Sequence, residues 1–277
     1  MSRVHAPLPF PKGLGLVVDQ PDPRDYRLKL ERPFTVATDF SDYQDQMSPV
    51  KDQGMRGACV AFGTVAVKEW QERQQRRTRG FYDFSEEWIY EQIRLPGGGA
   101  YPREAMKLLS ERGVPREHLL PYRERPDEDT AANFAPTKTQ TRNASFYKAR
   151  DYVRLTSIEQ MEASLATNGP FTLGLDWQFG WFDPSSTQQD GYPVLADRPT
   201  GSAGGHLICI CGHNRTLGLF KLRNSWSPGW GKGGYVWLEY EAVNTFGLDA
   251  WASLDAEKVA RMGVDIIKTD VAQEENA

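Results

Sequence analysis

The chain changes its pattern halfway along, and that change restricts the available folds more than any single residue does. Residues 59–78 contain no proline and only Gly63, and Phe62, Val65, Ala66 and Trp70 recur at helical spacing. This predicts a long helix with one buried face, its distal end kept in solvent by Lys68 and by the run from Glu72 to Arg79. A second helix is expected from Ser85, a capping residue ahead of Glu86 and Glu87, through Ile93. A third starts at Pro102, suited to a first helical turn, and stops at Gly113. Residues 121–141 mix Pro, Asp, Glu and Thr without apolar periodicity and read as a connection. Beyond them one helix, 157–167, precedes short β-branched or aromatic runs at 170–175, 205–211, 217–223 and 234–240. Helices first and strands second predict an α+β protein in two lobes.

The chain has 277 residues, 39% of them hydrophobic, which suffices for a sizeable core. Lys and Arg total 33 against 37 Asp and Glu, and a net charge of −4 gives no electrostatic case for nucleic acid or an anionic membrane. No apolar run approaches the length of a membrane span. Cysteine occurs only at Cys59, Cys209 and Cys211, an odd count that excludes a complete disulfide framework and suits a reducing compartment. With no long apolar leader at the start, the expectation is a cytoplasmic protein, or one delivered without a Sec signal by a specialised secretion system. Residues 1–31 carry Pro7, Pro9, Pro11, Pro21 and Pro23 with Gly13 and Gly15, which precludes a regular helix. They are expected to form an extended arm, and one hypothesis is that it covers the functional cleft. The acidic end, 256–277, reads as a solvated tail.

Cys59 follows a glycine-bounded loop, 52–58, and opens the first helix. Backbone N–H groups and the positive end of the helix dipole there favour a thiolate. A thiolate nucleophile needs a group to handle its proton and a third group to orient that partner. His206, after Gly204 and Gly205 and at the head of a predicted strand, is the best placed of the four histidines. Asn224 ends another strand, and Trp226 and Trp230 beside it offer dry cover for an Asn–His hydrogen bond. His206, Cys209, Cys211 and His213 also form a cluster of potential metal ligands. Strand alternation turns His206 and Cys209 to opposite faces, so no metal or other cofactor is expected.

Four blocks, in order, resemble the papain family of cysteine peptidases: residues 49–62 around Gln53 and Cys59, Gly205-His206, Asn224-Ser225-Trp226, and Gly229-Trp230-Gly231 with Gly234-Tyr235. The segments Phe84-Ser85-Glu86-Glu87 and Gly98-Gly99 through Tyr101-Pro102 add to the likeness, which runs from about residue 33 to 255. The resemblance implies a papain-like fold with a helical lobe (about 32–130) and an antiparallel, β-barrel-like lobe (about 131–255) facing each other across a cleft. It implies Cys59 as nucleophile, His206 as general base and then acid, Asn224 as orienter of the imidazole, and Gln53 as an oxyanion donor with the Cys59 backbone N–H. It further implies a substrate cleft lined by Gly98, Gly99, Gly174, Leu207, Trp226 and Trp251, with Trp251 at the base of a shallow pocket. The expected partner is a peptide or protein substrate, and the expected state a monomer. Arg56 stands where secreted members carry a half-cystine, and Val60 replaces the aromatic residue that usually follows the nucleophile. Acyl transfer or deamidation at the same site, a toxic effector role, and a non-catalytic peptide-binding role are the competing readings.

Overall fold

The computed structural model describes residues 12–23, 25, 27–28, 38–77, 80–127, 134–184, 187–254 and 266–267. The rest of the arm and all of the tail except Ile266–Ile267 lie outside them. Among the described residues are helices α1 (Cys59–Arg76), α2 (Glu86–Ile93), α3 (Pro102–Glu111), α4 (Lys138–Ala144), α5 (Ile158–Thr167) and α6 (Tyr240–Phe246). The strands are β1 (Arg27–Leu28), β2 (Phe40–Asp42), β3 (Asp151–Arg154), β4 (Phe171–Gln178), β5 (Gln188–Gln189), β6 (Tyr192–Leu195), β7 (Ser202–Asn214), β8 (Leu219–Arg223), β9 (Tyr235–Glu239), β10 (Gly247–Leu254) and β11 (Ile266–Ile267).

The strands form one sheet in the order β11-β1-β3-β10-β4-β7-β8-β9-β6-β5, with β2 added to the end of β7. The α+β class is as expected, but the sheet is open where a barrel-like closure was anticipated. Two of its pairings are also parallel, β1 with β3 and β6 with β9. One apolar core, rich in Trp and Phe, lies on the sheet. A second joins α1, α2 and α3, and Ala144 of α4 and Ala149 belong to it. The expected helix starts hold. The Ser85 hydroxyl caps α2 by accepting the Trp88 N–H, Pro102 opens α3, and Ser157 caps α5 through the Gln160 N–H.

α1 departs from the expectation in two ways. It ends at Arg76, because Arg77 adopts a left-handed conformation (φ 47°) that closes the helix. It is also buried on every side as far as Glu72, so Lys68 and Glu72 are not solvated. Partners within the helix and far along the chain explain this. Lys68 pairs with Glu72 at 2.8 Å and donates to the Lys148 carbonyl, while Glu69 takes Lys51 at 2.9 Å and the Phe84 N–H. The central helix thus internalises charge in pairs, the condition under which such burial is tolerated. Part of the stretch read as a connection also folds. Thr137 and Gln140 form a reciprocal capping box that starts α4.

Candidate active site

Cys59 is the first residue of α1 and is fully buried. The backbone N–H groups of Leu207, the residue after His206, and of Gly15 in the arm lie near its sulfur. Cys59 of α1 shares an apolar cluster with Leu207 of β7. The thiolate expected from the helix dipole is not favoured in this arrangement. Burial pushes the Cys59 thiol up to about 11, outweighing the downward pull of the neighbouring backbone groups.

His206 sits in β7 opposite Leu175 and is also fully buried. Its Nε2 lies 2.8 Å from Asn224 Oδ1, and that oxygen also accepts the Ser225 N–H at 2.8 Å. An oxygen that accepts from both sides leaves the Nε2 proton on the ring, so the neutral imidazole presents a bare Nδ1. That Nδ1 is buried and has no hydrogen-bond partner among the described residues. Trp226 stacks on the ring at 4.6 Å between centroids and Trp177 meets it edge-on at 4.8 Å. Phe182 stacks on the far side of Trp226. Trp226 therefore covers the imidazole, whereas Trp230 touches Trp226 and Trp177 behind it. The sequence reading missed Trp177; its place in β4, three residues after Gly174, was the only signal available. Burial in this dry enclosure lowers His206 to about 4, against a smaller upward pull from Asn224.

Gln53 belongs to the loop before α1, and its backbone N–H bonds the Ser225 carbonyl at 2.9 Å, which ties the two lobes together. Its amide is held from behind by the Ser225 hydroxyl, which donates to Oε1 at 2.6 Å. The Nε2 group then points forward, to the Arg56 carbonyl at 2.8 Å and the Gly13 carbonyl at 2.9 Å.

The arm bonds to residues on both sides of this site. Lys12 pairs with Asp52 at 3.0 Å, the Gly15 and Leu16 N–H groups reach the Gly205 carbonyl, and Leu16 is buried. On the other wall the Val17 N–H bonds the Ala100 carbonyl at 3.0 Å, and the Ala100 N–H bonds the Gly15 carbonyl at 2.8 Å. The arm therefore runs parallel to that wall. Only glycine permits so close a seat: a Cβ at Gly15 would lie 2.0 Å from the Gly57 carbonyl oxygen, and one at Gly13 2.1 Å from that of Arg56. Further along, the Asp19 N–H bonds Asp249 at 3.1 Å, Asp19 accepts the Arg103 N–H at 2.7 Å, and Asp25 takes the Arg103 guanidinium at 2.7 and 2.8 Å. Arg154 reaches Asp249 at 3.1 Å.

The expected lining residues divide. Gly174 faces Leu16, whose methyl group would lie 2.6 Å from a Cβ there, and Leu207 shares a core with Leu16. Gly99 lies against the Gly15 carbonyl, whereas Gly98 turns toward Asp127. Trp251 is fully buried beneath the guanidinium groups of Arg103 and Arg154, at 5.4 and 5.5 Å from its ring, and the β10 residue opposite Gly174 is Asp249. Cys209 and Cys211 are buried free thiols. Arg56 occupies the interior: it pairs with Glu87 at 2.7 Å and with Glu91, and lies over the rings of Tyr90 and Tyr122.

The family model described as papain family cysteine protease matches residues 35–255. Among curated proteins, cysteine proteinase 3 of Entamoeba histolytica is 27% identical over 76% of this chain and 66% of its own length. Against two further relatives the chain spans 57% and 60% of their length. Among solved structures, xylellain, a cysteine protease from Xylella fastidiosa, superposes with a TM-score of 0.75 at 25% identity, covering 89% of this chain and 97% of that one. A Carica candamarcensis cysteine protease in complex with E-64 shares the fold, with a TM-score of 0.59 at 18% identity over 79% of this chain and all of that one.

Proposed function

The chain belongs to the papain family of cysteine proteases, and from that premise we propose that it is an endopeptidase that cleaves peptide bonds through Cys59. The observation that carries the reading is the fixed tautomer of His206: Nε2 committed to Asn224 and Nδ1 left bare inside a buried site. Nδ1 takes the thiol proton as the Cys59 sulfur bonds to the substrate carbonyl carbon, and Gln53 Nε2 with the Cys59 backbone N–H stabilises the resulting oxyanion. The imidazolium returns the proton to the departing amine, which leaves a thioester. Water, deprotonated by the same Nδ1, then attacks that thioester and releases the acid and the thiol. Asn224 keeps the ring in register throughout, and the Trp177–Trp226 enclosure keeps their bond dry.

On this reading the arm is a plug. Attack requires one peptide group with its carbon at the sulfur and its oxygen at Gln53. The arm instead gives Gln53 the carbonyl of Gly13 and commits the Gly15 N–H to the Gly205 carbonyl, so it occupies the oxyanion donor without presenting a peptide bond as substrate. Intact-mass measurement of E-64 labelling on the full chain tests both parts. Wild type should add one equivalent slowly, and Gly15→Leu, whose side chain has no room against Gly57, at least about tenfold faster. Cys59→Ala should add none, and His206→Ala in the Gly15→Leu background should be far slower. No adduct on folded wild type or Gly15→Leu would overturn the activated thiol, and equal rates for the two would overturn the plug.

A further inference from the structure

We propose that Asp127 is a positioning residue for this cleft, joining the loop that carries Cys59 to the wall along which the arm backbone lies; the proposal rests on the peptidase reading above. Asp127 lies in the stretch whose sequence reads as a mere connection. Its Oδ2 accepts the Gly57 N–H at 2.7 Å, and its Oδ1 accepts the Tyr90 hydroxyl at 2.9 Å and lies 3.4 Å from Arg56 Nε. Each contact leads to a different working part of the cleft.

The first leads to Gln53. The peptide group between Arg56 and Gly57 gives its N–H to Asp127 and its carbonyl to Gln53 Nε2 at 2.8 Å. One peptide plane thus connects the carboxylate to the amide that awaits the oxyanion. A negative charge on its N–H side polarises that peptide and strengthens the carbonyl as an acceptor, which fixes the Gln53 amide in its forward pose. The second contact leads to the opposite wall. The Tyr90 oxygen, while donating to Asp127, accepts the Gly99 N–H at 3.1 Å, one residue before Ala100, whose N–H and carbonyl hold the arm. Burial pushes the Tyr90 phenol up, so it keeps the proton it donates. The two walls touch here as well, since a Cβ on Gly57 would lie 2.8 Å from the Gly99 nitrogen.

Asp127 is itself anchored. Its carbonyl accepts Arg94 Nη1 at 2.9 Å, and two residues earlier Arg125 pairs with Glu87 and Glu91 at 3.0 and 2.9 Å. Glu87 and Glu91 are committed to Arg56 and Arg125, which leaves the Asp127 carboxylate to take the backbone N–H and the phenol. Asparagine at this position supplies a single acceptor where two donors converge, and it turns an NH₂ toward one of them. The walls and the Gln53 amide then lose their common reference.

The test uses the full chain carrying Gly15→Leu, with Asp127 native, Asp127→Asn or Tyr90→Phe, and a fluorogenic peptide as substrate. Asp127→Asn should lower kcat and raise KM, reducing kcat/KM at least about tenfold, because it cuts both routes. Tyr90→Phe should raise KM several-fold with kcat nearly unchanged, because it cuts only the route to the wall. Alkylation of Cys59 by iodoacetamide, which uses neither the oxyanion donor nor the wall, should stay within about twofold in both variants. A kcat/KM for Asp127→Asn within twofold of its parent, or an alkylation rate that falls in proportion to turnover, would overturn the proposal. If Asp127→Asn does not fold, an unchanged KM in Tyr90→Phe overturns it instead. Absence of turnover in the Gly15→Leu parent is a different result, since it removes the peptidase reading itself.

Discussion

The loop before Cys59 is fixed by buried charge, through Arg56 between Glu87 and Glu91 and through Lys51 between Glu69 and Glu86, whereas His206 is fixed by Trp177 and Trp226 with a single hydrogen bond to Asn224. The two modes fail differently. A buried ion pair is specific in geometry and depends on both partners, because removing one strands the other in a medium that cannot solvate it. An aromatic enclosure depends on area and shape and is indifferent to charge, but it makes the group inside reluctant to ionise. The nucleophile loop should therefore be broken by deleting a charge, and the base by changing the proton concentration.

The largest effect is expected at Arg56. Arg56→Ala leaves Glu87 and Glu91 buried with one cation fewer and should destabilise the fold by about 3–5 kcal/mol in urea unfolding. A loss comparable to that of a surface arginine would show that Arg94 and Arg125 suffice to neutralise them. Next comes His206. Burial lowers it from 6.5 to about 4, so the unfolded chain accepts a proton that the folded chain refuses. Stability should be complete above about pH 6.5 and fall on the order of 3 kcal/mol as pH drops toward 4. That slope should shrink in His206→Gln, and an identical slope there would place the titration elsewhere.

The smallest effect concerns the arm, which combines both modes. Burial, and then the adjacent Asp249 carboxyl, push Asp19 up from 3.8 to about 7 against the opposing pull of Arg103; Asp25 and Arg154 complete the cluster. The docked arm thus keeps a proton that the free arm releases, so docking is strongest below about pH 4 and weakens as pH rises through 7. The ratio of E-64 labelling rates, wild type over Gly15→Leu, should climb several-fold from pH 5 to 8 and flatten in Asp19→Asn, which cannot lose that proton. A ratio independent of pH would show that the glycine seat alone holds the arm.

What the sequence disclosed follows the same division. Ser85, Pro102 and Ser157 were legible because helix-start chemistry is local, decided within one helical turn, and the start of α1 at Cys59, which has no side-chain cap, was legible from the glycine-bounded loop before it. His206 and Asn224 stood out through their glycine and tryptophan neighbours, and the structure does join them. The burial of Lys68 and Glu69 was not legible: the Lys148 carbonyl and Lys51 lie far along the chain from α1's own turns, and periodicity sees only neighbours. β10, with the sequence Gly-Leu-Asp-Ala-Trp-Ala-Ser-Leu, has no β-branched residue and is a strand because β3 and β4 flank it. Asp127 sits amid prolines and charges, with nothing nearby to mark that its carboxylate reaches Gly57 across the cleft rim.

β1 continues the arm beyond the Asp19–Asp25 cluster and is itself paired on both sides, to β3 and to β11, while the chain resumes at β2 on the far end of β7. Cutting the chain anywhere between β1 and β2 therefore frees no peptide: the severed piece stays seated by backbone ladders, ion pairs and Leu16. Scission and departure become separate events with separate clocks. Activity after such a cut should emerge as a lag whose duration is set by unimolecular dissociation, independent of how much cutting enzyme was supplied, and the lag should lengthen again when the excised segment is added back.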